Sequence, residues 1–255
     1  MKIAMAQINS TVGDLEGNLN KINKFINDTK SLGTDVVIFP ELAVTGYPPQ
    51  DLLLEKGFIE NNKKFLKEMI DKNLVDVVGV VGFVDFKGDD LYNAAAVFKR
   101  NKLIDIIHKS LLPTYDVFDE DRYFKSAEKI SPVSVKINDE NVKLGIEICE
   151  DLWDNNYDLK VTDVLVKKGA QFIINISASP FLVGKHLERK RLLKEKAIKN
   201  GVPIFYVNLI GGQDELVFDG NSMAVDKNGS LIALAKQFDE DLIITEINLK
   251  EGVSQ

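Results

Sequence analysis

Two sheets flanked by helices, an α/β architecture, are what this sequence predicts, on three observations. Short unbroken apolar runs alternate with stretches of helical apolar spacing through the first third of the chain. Hairpin patterns then take over, each a pair of apolar runs around a short polar tetrapeptide. Strand and helix spacing alternate again beyond residue 150. Crossovers mixed with hairpins argue for two sheets rather than one doubly wound sheet.

In chain order, residues 3–8 form an apolar strand run. Residues 18–32 place Leu19, Ile22, Phe25 and Ile26 on one helical stripe that Gly33 ends. Val36-Val37-Ile38-Phe39 is of buried-strand type and stops at Pro40. Residues 51–72 carry Leu53, Phe58, Phe65 and Met69 at helical positions, and residues 75–86 return to strand. One hairpin joins residues 94–98 and 103–107 around Lys99-Arg100-Asn101-Lys102. A second joins residues 133–137 and 142–149 around Asn138-Asp139-Glu140-Asn141. A third surrounds Asp226-Lys227-Asn228-Gly229, whose Asn-Gly pair tolerates positive φ. Further strands are expected at 172–177, 204–209 and 242–247, and helices at 158–168 and 186–200. No internal repeat, low-complexity tract or linker divides the chain, so residues 1–255 read as one domain.

Acidic residues outnumber basic ones, 39 to 32, for a net charge of −7. That balance argues against a general nucleic-acid or anionic-membrane surface, so neither partner is expected. The basic run Lys185-His186-Leu187-Glu188-Arg189-Lys190-Arg191 reads as a solvated helix face except at Lys185. The one cysteine, Cys149, allows no intrachain disulfide and fits a reducing, cytoplasmic setting. The N-terminus has too short an apolar core for a signal peptide, and no apolar run is long enough to span a membrane.

Cys149 stands where the apolar alternation of Val142, Leu144, Ile146 and Ile148 runs into Glu150-Asp151. A nucleophile on the turn that leaves a strand has this setting; so does a buried structural cysteine, the commoner alternative on position alone. A thiol needs a base or a nearby cation to act as a nucleophile at neutral pH. His108 and His186 are the two histidines, the first at a strand end and the second within the basic run. One cysteine and two scattered histidines give no metal-ligand spacing, so no metal is expected. Glu41 directly follows the strand run ending at Phe39-Pro40, and Lys109 follows Ile106-Ile107-His108. Taken singly, Glu41 and Lys109 are more often rim charges; with Cys149 they place base, cation and nucleophile at three strand ends, a set able to remove a thiol proton and stabilise an acyl-transfer oxyanion.

Phe39-Pro40-Glu41-Leu42, His108-Lys109-Ser110-Leu111-Leu112-Pro113 and Glu147-Ile148-Cys149-Glu150-Asp151 resemble, in order, the three catalytic segments of the nitrilase superfamily of carbon–nitrogen hydrolases. The resemblance covers essentially the whole chain. Four further segments narrow it to the amidase domains of glutamine-dependent NAD+ synthetases. They are Gly46-Tyr47-Pro48-Pro49-Gln50-Asp51-Leu52-Leu53, Cys149-Glu150-Asp151-Leu152-Trp153, Asn175-Ile176-Ser177-Ala178-Ser179-Pro180-Phe181 and Gly212-Gln213-Asp214-Glu215-Leu216-Val217-Phe218-Asp219-Gly220. The resemblance implies a four-layer α-β-β-α sandwich, subunits paired through their outer faces, and hydrolysis of L-glutamine to glutamate and ammonia through a thioester. It implies Glu41 as general base, Cys149 as nucleophile, Lys109 with the backbone N–H of Glu150 as oxyanion donors, and Glu120 as orienting acid. Tyr115, Ser179 and Lys185 match glutamine-binding positions, with Lys185 the partner of the substrate carboxylate.

Several positions stay open at this level. Trp153 either walls the pocket or joins the core; Glu150 and Asp151 either meet the substrate ammonium or cap a turn; Ser177 and Ser179 share one side of an extended strand. The resemblance implies no cofactor for the amidase reaction. ATP and Mg would belong to a second, synthetase domain, whose Ser-Gly-Gly-x-Asp-Ser loop this sequence lacks. The expected partners are therefore L-glutamine, further copies of the chain, and a synthetase domain or subunit. The alternatives are a free-standing amidase acting on another small amide and a weakly active interaction subunit.

Overall fold

Each of the chain's two sheets is wound around the same unit, β-α-β-α-β. The computed structural model describes residues 1–249. Its first unit comprises β1 (Lys2–Gln7), α1 (Leu15–Lys30), β2 (Val36–Ile38), α2 (Lys56–Lys72) and β3 (Val78–Lys87). Strands β4 (Asp90–Lys99) and β5 (Lys102–His108) extend it as antiparallel hairpins. The second sheet begins with the hairpin β6 (Val133–Ile137) and β7 (Glu140–Ile148). It continues through α3 (Val161–Lys167), β8 (Phe172–Ser177), α4 (Lys185–Asn200) and β9 (Ile204–Asn208). A two-stranded ribbon follows, β10 (Ile210–Gln213) and β11 (Leu216–Asp219). The chain then returns through β12 (Met223–Val225) and β13 (Leu231–Leu234) to the second sheet, and through β14 (Asp241–Glu246) to the first.

Strand order is β14-β1-β2-β3-β4-β5 in one sheet and β13-β12-β9-β8-β7-β6 in the other. Strands β1, β2 and β3 run parallel, as do β7, β8 and β9. Both faces of these central strands are buried, which is why they read as unbroken apolar runs. Val36 and Ile38 point into the layer between the sheets, against residues such as Phe172, Ile174 and Phe205. Val37 and Phe39 point the other way, under Leu19, Ile22 and Leu66 of α1 and α2. On the far side Ile173, Ile204 and Tyr206 pack beneath Leu165 of α3 and Leu192, Leu193 and Ala197 of α4. The layers are therefore α-β-β-α. Among the described residues no helix is long and apolar enough to cross a membrane.

Local chemistry explains where the elements differ from their sequence patterns. Helix α1 starts at Leu15 rather than 18 because Asp14 caps it, accepting from the Gly17 N–H at 2.9 Å. The pattern over 51–72 divides at Glu55, which is extended, into a 3-10 turn at Gln50–Leu54 and α2. Strand β4 reaches back to Asp90 because it pairs along its length with β3, a gain that the polar Asp90 and Asn93 hide in the sequence. The β10–β11 ribbon carries Gly211, Gly212 and a polar turn, so it shows no apolar alternation. Residues 250–255, the end of the expected domain, lie outside the described residues.

A buried polar cluster fastens the outer helices to the second sheet. Thr162 of α3 donates to Glu147 of β7 at 2.6 Å, and Lys196 of α4 pairs with Asp154 at 2.6 Å. Burial pushes the Glu147 carboxyl from 4.5 up to about 8, against the opposing pull of Lys196 and Thr162. The folded protein thus holds Glu147 neutral while the unfolded chain ionises it. Its contribution is full below about pH 4.5 and is lost as pH rises towards 8. Glu147→Gln keeps the acceptor for Thr162 and removes that titration. Urea unfolding is expected to show similar stability for both proteins near pH 5 and a gain on the order of 3–5 kcal/mol for the variant above pH 8.

Candidate functional site

Pro40 ends the β2 run and delivers Glu41 into the space between the two sheets, where it has no solvent exposure. Its Oε1 accepts from Lys109 Nζ at 2.7 Å and Asn93 Nδ2 at 2.8 Å, and its Oε2 accepts from the Ala178 N–H at 2.8 Å. Lys109 leaves β5 with its N–H donated to the Asn93 carbonyl at 2.8 Å, and its side chain turns inward. There Nζ also lies 2.8 Å from Glu120, which accepts from the Tyr47 hydroxyl at 3.0 Å. Burial works against charge on Lys109, but Glu120 and Glu41 outweigh it and hold the ammonium well above the ordinary lysine range.

Cys149 is the first residue after β7 and has φ +44, a left-handed conformation that side-chain-bearing residues rarely adopt. It opens a 3-10 turn, Cys149–Leu152, which Asp151 fixes. Asp151 Oδ2 accepts from the Ile148 N–H at 3.0 Å, while Oδ1 accepts from the N–H groups of Ser110 and Leu111 at 2.9 and 2.8 Å. This one carboxylate staples the cysteine turn to the segment that follows Lys109, which brings two strand ends from different sheets together. Asp151 therefore caps a turn and is closed to a ligand; burial raises it to about 7 against those three donors. Burial, followed by the Glu41 charge, pushes the Cys149 thiol well above its usual value. The folded protein thus favours the neutral thiol at Cys149.

Cys149 lies in the wall of a cavity of about 260 Å3 that Tyr115, Glu150, Trp153, Ser179 and Lys185 also line. Every expected substrate position thus surrounds one opening. The Tyr115 and Tyr157 hydroxyls donate to Glu150 at 2.8 and 3.0 Å, while burial raises its carboxyl. Lys185 Nζ stands 4.0 Å over the Trp153 ring and 2.9 Å from Glu188, so Trp153 is pocket wall and cation platform. Ser179 lines the cavity; Ser177 is buried in β8 and donates to Asn175 at 2.7 Å. His108 pairs with Asp85 at 2.9 Å and stacks on Tyr92. Neither histidine lines the cavity. Among the described residues no cluster of three or more His, Cys, Asp and Glu is arranged to hold a metal ion.

Arg189 departs from the expected solvated face. It has no solvent exposure, pairs with Asp219 at 2.7 Å, and donates to the carbonyls of Ser179 and Pro180 at 2.9 and 2.8 Å. It stands four residues after Lys185 and so shares that residue's inward face of α4. Its partner Asp219 is thirty residues away in sequence, which no local charge pattern reveals. Tyr47, Asn93 and Tyr157 are likewise brought to the site by the fold; of these only Tyr47 belongs to a segment that resembles the family's motifs.

The carbon–nitrogen hydrolase family model matches residues 2–254. The chain is 42% identical over 255 residues to the glutamine-dependent NAD(+) synthetase of Thermotoga maritima, spanning 99% of this chain and 43% of that protein. To the glutamine-dependent NAD(+) synthetase of Synechocystis sp. it is 39% identical, spanning 98% of this chain and 47% of that protein. The solved structure of the Acinetobacter baumannii glutamine-dependent NAD+ synthetase with ADP superposes with a TM-score of 0.90 at 34% identity, over 98% of this chain and 46% of that one. An amidase from Nesterenkonia sp. has the same fold, with a TM-score of 0.83 at 20% identity over 98% of this chain and 92% of that one. The chain thus spans less than half the length of the synthetases it matches.

Proposed function

Because this chain belongs to the carbon–nitrogen hydrolase family, we propose that it hydrolyses the side-chain amide of L-glutamine to glutamate and ammonia through a thioester on Cys149. The observation that carries the reading is the cavity itself. A thiol beside a buried Glu41–Lys109–Glu120 cluster opens into a space that holds both a carboxylate, Glu150, and an ammonium, Lys185. Those two charges complement the α-ammonium and α-carboxylate of an amino acid whose amide reaches the thiol.

In the proposed reaction Cys149 passes its proton to Glu41 as Sγ attacks the amide carbon. The oxyanion is met by Lys109 Nζ and the Glu150 N–H. As the tetrahedral intermediate collapses, the amide nitrogen takes the proton from Glu41 while its bond to carbon breaks, and it leaves as ammonia. Glu41 then deprotonates water, which attacks the thioester and releases glutamate and the Cys149 thiol. Glu120 and Tyr47 hold Lys109 in place, and no cofactor takes part.

The relatives' name and the partial span of their length support a wider role, in which the ammonia is used for NAD+ synthesis. The acceptor is a synthetase domain or subunit, to which ATP and Mg belong, and the hydrolase acts within an oligomer. Ammonia release from L-glutamine by the protein, alone and with excess synthetase domain, tests both levels. Release that depends on Cys149 and rises with the synthetase domain is expected. Hydrolysis of other small amides with none of glutamine overturns the substrate assignment.

Lys185→Ala separates binding from chemistry. The ammonium meets the substrate carboxylate equally in ground and transition states, so its loss is expected to raise KM roughly ten- to a hundredfold with kcat little changed. Steady-state kinetics checks this, and a fall in kcat alone places Lys185 at the reacting centre instead.

A further inference from the structure

We propose that Arg189 is a positioning residue of the hydrolytic site, holding residues 178–180 against Glu41 and against the β11 wall of the cavity. The inference rests on the hydrolytic reading above. Strand β8 ends at Ser177, and the next three residues leave the sheet while still buried or nearly so. The carbonyls of Ser179 and Pro180 thereby lose ladder partners in a place where water does not replace them. One guanidinium serves both, with Nη2 donating to Ser179 O at 2.9 Å and Pro180 O at 2.8 Å. Its Nε reaches Ser179 Oγ at 3.3 Å, and Nη1 donates to Asp219 Oδ1 at 2.7 Å, at the end of β11. Asn221 holds the other Asp219 oxygen at 2.9 Å.

The segment so fixed is the one that meets Glu41, since the Ala178 N–H donates to Glu41 Oε2 at 2.8 Å. Asn208 tightens the same turn from β9, accepting from the Ser179 N–H at 2.8 Å and donating to Ser179 O at 3.2 Å. A fully buried ion pair is a poor source of stability, because well-packed apolar side chains often do as well. What only this side chain supplies is a planar fork that spans two successive carbonyls and a carboxylate. Arg189 also lies one turn beyond Lys185 on α4, so the helix that carries the cavity's cation is locked to the turn that carries Ser179.

The test compares Arg189→Lys, which keeps the charge but not the fork, with the double variant Arg189→Met/Asp219→Asn, which removes the buried charge pair altogether. Each is measured for thermal stability, for kcat and KM with glutamine, and for the rate of Cys149 alkylation by iodoacetamide, with Cys149→Ala as the blank. In alkylation the Sγ–C bond forms as iodide leaves and the thiol proton passes to the neighbouring base, so no glutamine turnover is needed. The expected result is a folded protein whose kcat falls about ten- to a hundredfold, more than KM rises, with alkylation slowed to a similar degree. If Arg189→Lys does not fold, the double variant carries the test. Wild-type kcat and wild-type alkylation in either folded variant, with only the melting temperature lowered, overturn the proposal. If glutamine is not hydrolysed at all, the glutamine reading fails while the alkylation comparison still decides the role of Arg189.

Discussion

Cys149→Ala is expected to lower ammonia release from glutamine by at least about four orders of magnitude, the loss that follows removal of a covalent nucleophile. The fold is expected to survive. Alanine and cysteine bear the same cost at φ +44, so the substitution adds no backbone strain. The turn around residue 149 is held by the Asp151 carboxylate rather than by the thiol, and that bonding is untouched. Burial of residue 149, followed by the Glu41 charge, also favours a neutral side chain here. A melting curve close to the parent's, together with background ammonia release, is the expected pair of readings. Turnover that persists in the variant removes the thioester mechanism, and Glu41 acting on water directly would have to replace it.

Lys109→Met is expected to act on catalysis and on stability at once. Loss of one oxyanion donor costs about a hundred- to a thousandfold in kcat. Loss of the ammonium also leaves Glu41 and Glu120 buried with no counter-charge, a cost of about 3–5 kcal/mol. The two effects separate in the double variant Lys109→Met/Glu120→Gln, which has one carboxylate fewer to neutralise. Denaturant unfolding is expected to show much of the stability regained, while kcat stays low. If kcat recovers along with stability, Lys109 acts by keeping the cluster folded and not by meeting the oxyanion.

Glu41, Lys109 and Cys149 were legible because each follows directly on an apolar strand run; the strands before Glu41 and Lys109 share one sheet, and the strand before Cys149 lies in the other. Their mutual distances were not legible. The contact between the Lys109 and Cys149 segments depends on Asp151, which reads equally well as a ligand for an ammonium until the backbone N–H groups of Ser110 and Leu111 are seen on it. An extended strand puts Ser177 and Ser179 on one side and does not separate them; the strand ends at Ser177, and Ser179 turns with the segment that follows into the cavity wall. The β10–β11 ribbon, which supplies part of that wall, lacks the alternation by which strands announce themselves.

By itself the sequence determined the α/β class, the order of the central strands and helices along the chain, the family motifs and the placing of Glu41, Lys109 and Cys149 just after strands. These follow from apolar periodicity and local spacing, which act over a few residues. Only the tertiary structure decided which polar side chains are covered. Arg189 looks like its neighbours Lys190 and Arg191 in the sequence, yet Asp219 and two freed carbonyls draw it into the interior. Glu147 looks like an ordinary surface acid of a strand, yet α3 and α4 close over it and raise its carboxyl to about 8. Burial of a charged group depends on a partner that folding brings from far along the chain, and the sequence around that group carries no record of it.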